Sequence, residues 1–198
     1  MDRPAEKDKR IKIIRAAVKV FSRKGFHEAR VEEIAQLADV GKGTVYEYFS
    51  SKTELFQEMF KAGIRFYLDS LIDDISPDLS SKEKLSRIAL LHLRFVSNYK
   101  DLAKVTMTEH TYFNEDFRKW MWEYRARKLE MLKRIIDEGI DRGEFRKIDS
   151  RAVALVFMGA LGAMFSPLIF SEEHENAKAL IEPALDIIMN GLIAPEGQ

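Results

Sequence analysis

Apolar positions along this chain fall almost everywhere into helical spacing. Ile11, Ile14, Val18 and Phe21 recur every three or four residues as one stripe, and Gly25 after Lys24 is a helix stop. Val31, Ile34, Leu37 and Ala38 form a second, short stripe. Val40-Gly41-Lys42-Gly43 interrupts it, and Val45, Tyr48 and Phe49 form a third. Ser50-Ser51 then supplies an N-cap, with Glu54 in the first turn of a helix that reaches about Ile75 and breaks at Ser76-Pro77-Asp78. Ser81 is expected to cap a helix carrying Leu85, Ile88, Leu91, His92 and Phe95. After a turn at residues 98–101, a shorter helix runs to about Phe113. Asn114 caps a long helix with Phe117, Trp120, Tyr124, Met131 and Ile135 as its stripe, and Gly139 and Gly143 mark its end. Asp149 caps an apolar helix to Phe170, and a last helix follows the polar break at Ser171–Asn176 and runs to about Asn190. The pattern predicts an all-α chain of about nine helices, with no strands, repeats or low-complexity segments. No linker interrupts it, so residues 1–50 and 51–198 are predicted to be two domains fused through the helix after Ser51.

Residues 31–49, VEEIAQLADVGKGTVYEYF, carry the most information. Two short helices joined by a tight turn are the arrangement that seats one of them in the major groove of DNA. Such a corner needs a small residue where the helices cross, and Ala35 is there. It needs an apolar wedge, for which Ile34, Ala38, Val40, Val45 and Tyr48 have the spacing. Its turn needs a left-handed backbone, and Asp39 is among the few non-glycine types that visit that region. The second helix is expected over Lys42–Phe49 with Gly41 as its cap. Gly43 lets it lie close to a duplex. Lys42 and Thr44 can reach phosphates or base edges, Tyr46 and Tyr48 can hydrogen-bond phosphates, and Lys52 lies just beyond. With Arg30, the candidate DNA-binding set is Arg30, Gly41, Lys42, Gly43, Thr44, Tyr46, Tyr48 and Lys52.

Charge sharpens this reading. The net charge is zero, which argues against a sequence-tolerant architectural DNA protein, because such proteins rely on many phosphate contacts. Its distribution is uneven: residues 1–24 hold nine Lys/Arg against Asp2, Glu6 and Asp8, while residues 148–198 hold Arg151 and Lys178 against seven acids. A phosphate-binding end and a non-binding end have this asymmetry. Cysteine is absent, which excludes disulfides and thiolate metal sites and suits a cytoplasmic protein. The N-terminus lacks the apolar run of a secretion signal. The 19-residue stretch Ala152–Phe170 approaches membrane length, but Gly159, Gly162, Ser166 and Pro167 and its charged flanks favour a buried or interface helix. His27, His92, His110 and His174 are scattered, no HExxH or Gly-rich phosphate loop is present, and the adjacent Glu109-His110 falls short of a metal set. No catalytic residue, metal or cofactor is therefore expected. A helical adaptor that had lost DNA binding would show a damaged second helix. Lys42, Thr44, Tyr46, Tyr48 and Lys52 are all in place.

The stretch AAVKVFSRKGFHEARVEEIAQLADVGKGTVYEYFSSKTELF resembles the TetR family of repressors. Gly25-Phe26, Ile34-Ala35, Val40, Gly43-Thr44-Val45-Tyr46, Tyr48-Phe49, Ser51-Lys52 and Leu55 carry the match. Three positions depart from it: Ala29 stands where the family has a capping Thr, Asp39 replaces a turn glycine, and Gly41 replaces a capping Ser. The resemblance implies an all-helical homodimer that binds a palindromic double-stranded operator, with recognition helices roughly 34–36 Å apart. It implies dimerisation through the last two helices, here about Asp149–Phe170 and Asn176–Asn190, where Gly159, Gly162 and Ala163 permit close approach. It also implies a small effector that binds in the body and shifts the dimer away from the DNA-binding spacing.

The body is rich in aromatic and methionine side chains, which suits a lipophilic effector. Phe95, Trp120, Tyr124, Phe157 and Leu161 are the candidate pocket walls. Two effector classes fit: a fatty-acyl-type ligand whose acidic head meets Arg94, Arg118 or Arg127, or a cationic or neutral lipophilic drug met by Glu109, Glu123 or aromatic faces.

Overall fold

The computed structural model describes residues 4–98, 100, 114–170, 183 and 185–190. Those residues form helices throughout, with no strand among them, and the chain is all-α. The helices are α1 (Pro4–Glu28), α2 (Val31–Leu37), α3 (Lys42–Tyr48), α4 (Lys52–Asp74), α5 (Ser81–Asn98), α6 (Glu115–Asp141) and α7 (Ser150–Phe170), with a further helical stretch at 185–190. The helix expected up to Phe113, and the first part of the last one, lie outside the described residues, as do Glu109 and His110.

Local chemistry sets the helix ends. Gly25, at φ 72°, breaks the helical path of α1, a conformation costly for any residue with a Cβ. Ser51 caps α4 by accepting a 3.0 Å bond from the Glu54 amide, and the Glu54 carboxylate returns to the Ser50 amide at 2.6 Å. Asn114 and Asp149 cap α6 and α7 through 2.8 Å bonds from the amides of Phe117 and Ala152. The cap of α5 is Ser80 rather than the expected Ser81: the Glu83 amide donates to Ser80 Oγ at 3.2 Å, and the Ser80 amide to the Glu83 carboxylate at 2.9 Å. Ser81 instead points inward, its hydroxyl buried without a hydrogen-bond partner among the described residues.

The chain divides into two compact units, Met1–Phe66 with Tyr99–Phe117, and Tyr67–Asn98 with Arg118–Gln198. In the first, Phe21, Phe26, Phe56, Phe60 and Phe117 form an aromatic core, with Phe56 edge-on to Phe21, Phe26 and Phe60 at 5.0 Å each. This core sets the rotation of α1. Ile13, Ile14, Ala17, Val20 and Phe21 face inward, whereas Ile11 of the expected stripe is exposed. Leu37, also expected inside, is 51% exposed. In the second unit, α5 packs on α7 and buries Leu85, Ile88, Ala154, Phe157 and Leu161. Among the described residues no helix is long and apolar enough to cross a membrane.

Candidate functional site

The corner between α2 and α3 is built as its residue types require. Ile34, Ala35, Ala38 and Val45 are buried where α2 packs on α1 and on α3. Asp39 adopts φ 56°, the one described non-glycine residue with a positive φ, at the turn where that backbone was expected. Gly41 (φ −69°, ψ 150°) is the N-cap of α3 and gives no side-chain cap bond. The N-cap of α2 is Arg30, one residue beyond the expected Ala29, likewise without a side-chain bond. Both helices therefore rely on packing for their start.

The predicted residues divide into an outward and a half-buried set. Arg30, Gly41, Lys42, Gly43 and Tyr46 are exposed, and Thr44, Tyr48 and Lys52 are half-buried. A Cβ added at Gly43 would meet no atom within 4 Å. Lys42 pairs with Glu32 of α2 at 2.5 Å, and its ammonium lies 6.0 Å from the Tyr46 ring centre. That pairing raises the Lys42 pKa and lowers that of Glu32. Lys52 donates to the His27 carbonyl at 3.0 Å and sits 4.7 Å over the Phe26 ring, so it ties the start of α4 to the end of α1. Burial lowers its pKa. The end of α3 is held from α1, where Arg10 lies 5.2 Å over the Phe49 ring and pairs with Glu58 of α4 at 2.6 Å. Burial alone would raise Glu58, but its bonds to Lys61 and Arg10 outweigh that and keep its carboxyl below the ordinary range.

The second unit contains a cavity of about 510 Å³ between α4, α5 and α6. Leu68, Leu71, Ile75, Met131 and Ile135 give it apolar walls, and Lys84, Arg127, Lys128, Arg134 and Glu138 give it charge. Of the five predicted pocket walls, Tyr124 lines this cavity. Trp120 stacks on Tyr124 at 6.2 Å, Phe95 lies against Tyr67 at 5.1 Å, and Phe157 and Leu161 are fully buried in the unit. All three predicted head-group arginines are exposed; Arg127 lines the cavity, and Arg94 and Arg118 do not. Glu123 is exposed and outside the lining as well.

Lys128 went unnoticed in the sequence. It is 9% exposed and lies 5.3 Å over the Tyr67 ring. Its signal was present: a lysine four residues after Tyr124 and three before Met131, on the apolar stripe of α6. Among the described residues no group of His, Asp or Glu could hold a metal ion.

A family model described as bacterial regulatory proteins of the tetR family matches residues 13–59, and one described as the Tetracyclin repressor-like C-terminal domain matches residues 78–166. The chain belongs to the TetR family of transcriptional regulators. This TetR-family chain is 28% identical over 188 residues to the fatty acid metabolism regulator protein of Bacillus subtilis (strain 168), covering 94% of itself and 97% of that relative. Among solved structures, the transcriptional regulator FadR from Bacillus subtilis in complex with stearoyl-CoA matches with a TM-score of 0.80 and 28% identity, over 92% of this chain and 98% of that one. The fatty acid degradation regulator FadR from Bacillus halodurans matches with a TM-score of 0.78 and 26% identity, with the same coverage.

Proposed function

We propose that this TetR-family regulator is a dimeric repressor that binds a palindromic operator through α3 and releases it when a fatty-acyl-type effector enters the second unit. The observation that carries the DNA reading is the outward face of α3. Gly43 stands where neither the fold nor its neighbours need a glycine, beside exposed Lys42 and Tyr46. A residue without a side chain, kept at a position that costs helix stability, fits a surface that another molecule approaches closely. Arg30, Gly41, Thr44, Tyr48 and Lys52 complete the proposed contact set, and residues 1–50 and 51–198 are its DNA-binding and effector-dimerisation parts. Dimerisation through α7 is supported by Leu155 and Val156, apolar yet 50% and 64% exposed, and by Gly159 and Gly162, where an added Cβ would touch nothing described. A fatty-acyl-type effector is supported by the apolar, cation-bearing cavity and by the similarity to a regulator solved with stearoyl-CoA. Tyr124 and Trp120 are its proposed aromatic wall, with Phe95, Phe157 and Leu161 behind. The proposed setting is the cytoplasm.

The test is enrichment from a random-sequence DNA pool by the purified full chain. A palindromic site with half-sites about one helical turn apart is expected. A folded, dimeric protein that enriches no sequence would sink the reading.

A further inference from the structure

Among the described residues two lysines are buried in the second unit, and their circumstances differ. Lys84, 7% exposed, pairs with Glu138 at 2.8 Å. Lys128, 9% exposed, has no carboxylate within ion-pair distance among the described residues. A buried cation is costly unless an opposite charge accompanies it.

The groups that face Lys128 do not supply that charge. On α4, burial pushes the Tyr67 hydroxyl well above its ordinary range, so it is neutral, and that hydroxyl has no hydrogen-bond partner among the described residues. On α5, burial first and then Lys128 itself push His92 down to about 3, so it too is neutral. On α6, burial pushes Tyr124 up to about 12, and Arg125 repels Lys128. The described carboxylate lining the cavity, Glu138, is engaged by Lys84, while Arg127 adds further positive charge to the lining and Arg134 pairs with Glu130 at 3.5 Å. The cavity is thus an apolar chamber with a surplus of cations. Its size falls within the roughly 300–1,000 Å³ of small-molecule sites.

We infer that Lys128 is the anion anchor of this cavity and that its ligand is an amphiphile with an acidic head, which pairs with the Lys128 ammonium while an alkyl chain lies along Leu68, Leu71, Met131 and Ile135. The inference rests on the effector reading above and narrows it. It selects an anion over the cationic class, because a positive head would meet Lys128 and Arg127. Burial holds Lys128 near 8, so it remains largely charged at neutral pH and able to pair. The anion is either a carboxylate, as in a fatty acid, or a phosphate, as in a CoA thioester.

The experiment measures binding to the full chain by calorimetry and thermal shift with decanoate, decanol, decylamine and stearoyl-CoA, each below micellar concentration. Decanoate is expected to bind about tenfold or more tighter than decanol, as a charge-assisted bond at a buried site gives, and decylamine more weakly than either. Lys128→Met is expected to raise the melting temperature of the unliganded protein and to erase the preference for acid over alcohol. Lys128→Arg is expected to restore that preference. Loss of decanoate affinity alone in Lys128→Met identifies a carboxylate as the partner. Loss of stearoyl-CoA affinity alone identifies a phosphate, and either supports the anchor. If Lys128→Met leaves both the preference for acid over alcohol and the stearoyl-CoA affinity unchanged, the anchor is refuted while the effector reading stands. If no alkyl compound binds the wild-type chain, both fall.

Discussion

Gly43, in the proposed DNA-contact face, is where the demands of folding and of binding can be separated. Space around it is open, and alanine is the better helix residue by up to about 1 kcal/mol. Gly43→Ala is therefore expected to keep or raise the melting temperature while weakening DNA binding, as calorimetry and fluorescence anisotropy together would reveal. Unchanged DNA affinity would remove Gly43 from the contact face. Tyr46 and Lys52 make a second contrast. Tyr46→Ala removes an exposed ring and is expected to weaken binding to every DNA sequence at constant stability. Lys52→Ala is expected to weaken binding and reduce its salt dependence, but also to cost about 0.5–1.5 kcal/mol of stability, because it loses the His27 carbonyl and the Phe26 ring. Urea unfolding of the two variants distinguishes them. Lys128 has a pH signature of its own. Its folded pKa, near 8, is below the ordinary 10.5, so the unfolded chain binds more protons between those values and stability should rise with pH there. Tyr67 and Tyr124 have the opposite sign: burial raises them, so the unfolded chain loses protons above about 10 and stability falls again. A rise confined to about pH 8–10 is expected, and Lys128→Met should flatten it. That substitution should also add on the order of 3 kcal/mol at pH 7, measured by urea unfolding at each pH.

At the scale of the helices, much of the fold was legible because caps and turns are local chemistry. Asn114, Asp149 and Ser51 each bond an amide three residues on, and their sequence neighbours suffice to place them. Asp39 was legible for the same reason, since the turn demands a backbone that few residue types accept. Adjacent serines at 80 and 81 concealed the true cap, although Glu83 three residues after Ser80 marks it. The rotation of α1 was not legible, because contacts made by Phe56 with Phe21 and Phe26, distant in sequence, decide which isoleucines turn inward. The apolar stripe of α6 marks the position of Lys128 as inward-facing, but the neighbours that leave it without an opposite charge, Tyr67 of α4 and His92 of α5, are not legible from that stripe. Gly139 illustrates how tightly such long-range packing is drawn. Read as a helix end, it lies inside α6, where a Cβ would fall 2.3 Å from the Phe145 ring and 2.9 Å from Ser81 Cβ. Gly139→Ala is expected to destabilise the protein by about 1–3 kcal/mol despite its better helix propensity, read as a lower urea midpoint at unchanged slope.

For the molecule as a whole, the two ends do different work. The basic N-terminal region carries the helix-turn-helix, and the second unit carries a cavity lined by Lys128, which has no carboxylate within ion-pair distance among the described residues. In the proposed dimer, binding at one site acts on the other only through different affinities for its two states, so the proposed effector and operator are expected to weaken each other to the same degree. For the TetR-family chain, about tenfold or more of such weakening corresponds to a coupling within the usual 1–3 kcal/mol. The most direct measurement is the anisotropy of a fluorescent operator, selected from the random pool, titrated with the full chain with and without stearoyl-CoA. Nanomolar-range binding at physiological salt that weakens about tenfold or more with stearoyl-CoA is expected. Operator affinity that is the same with and without stearoyl-CoA, in a protein that binds both, would contradict the account.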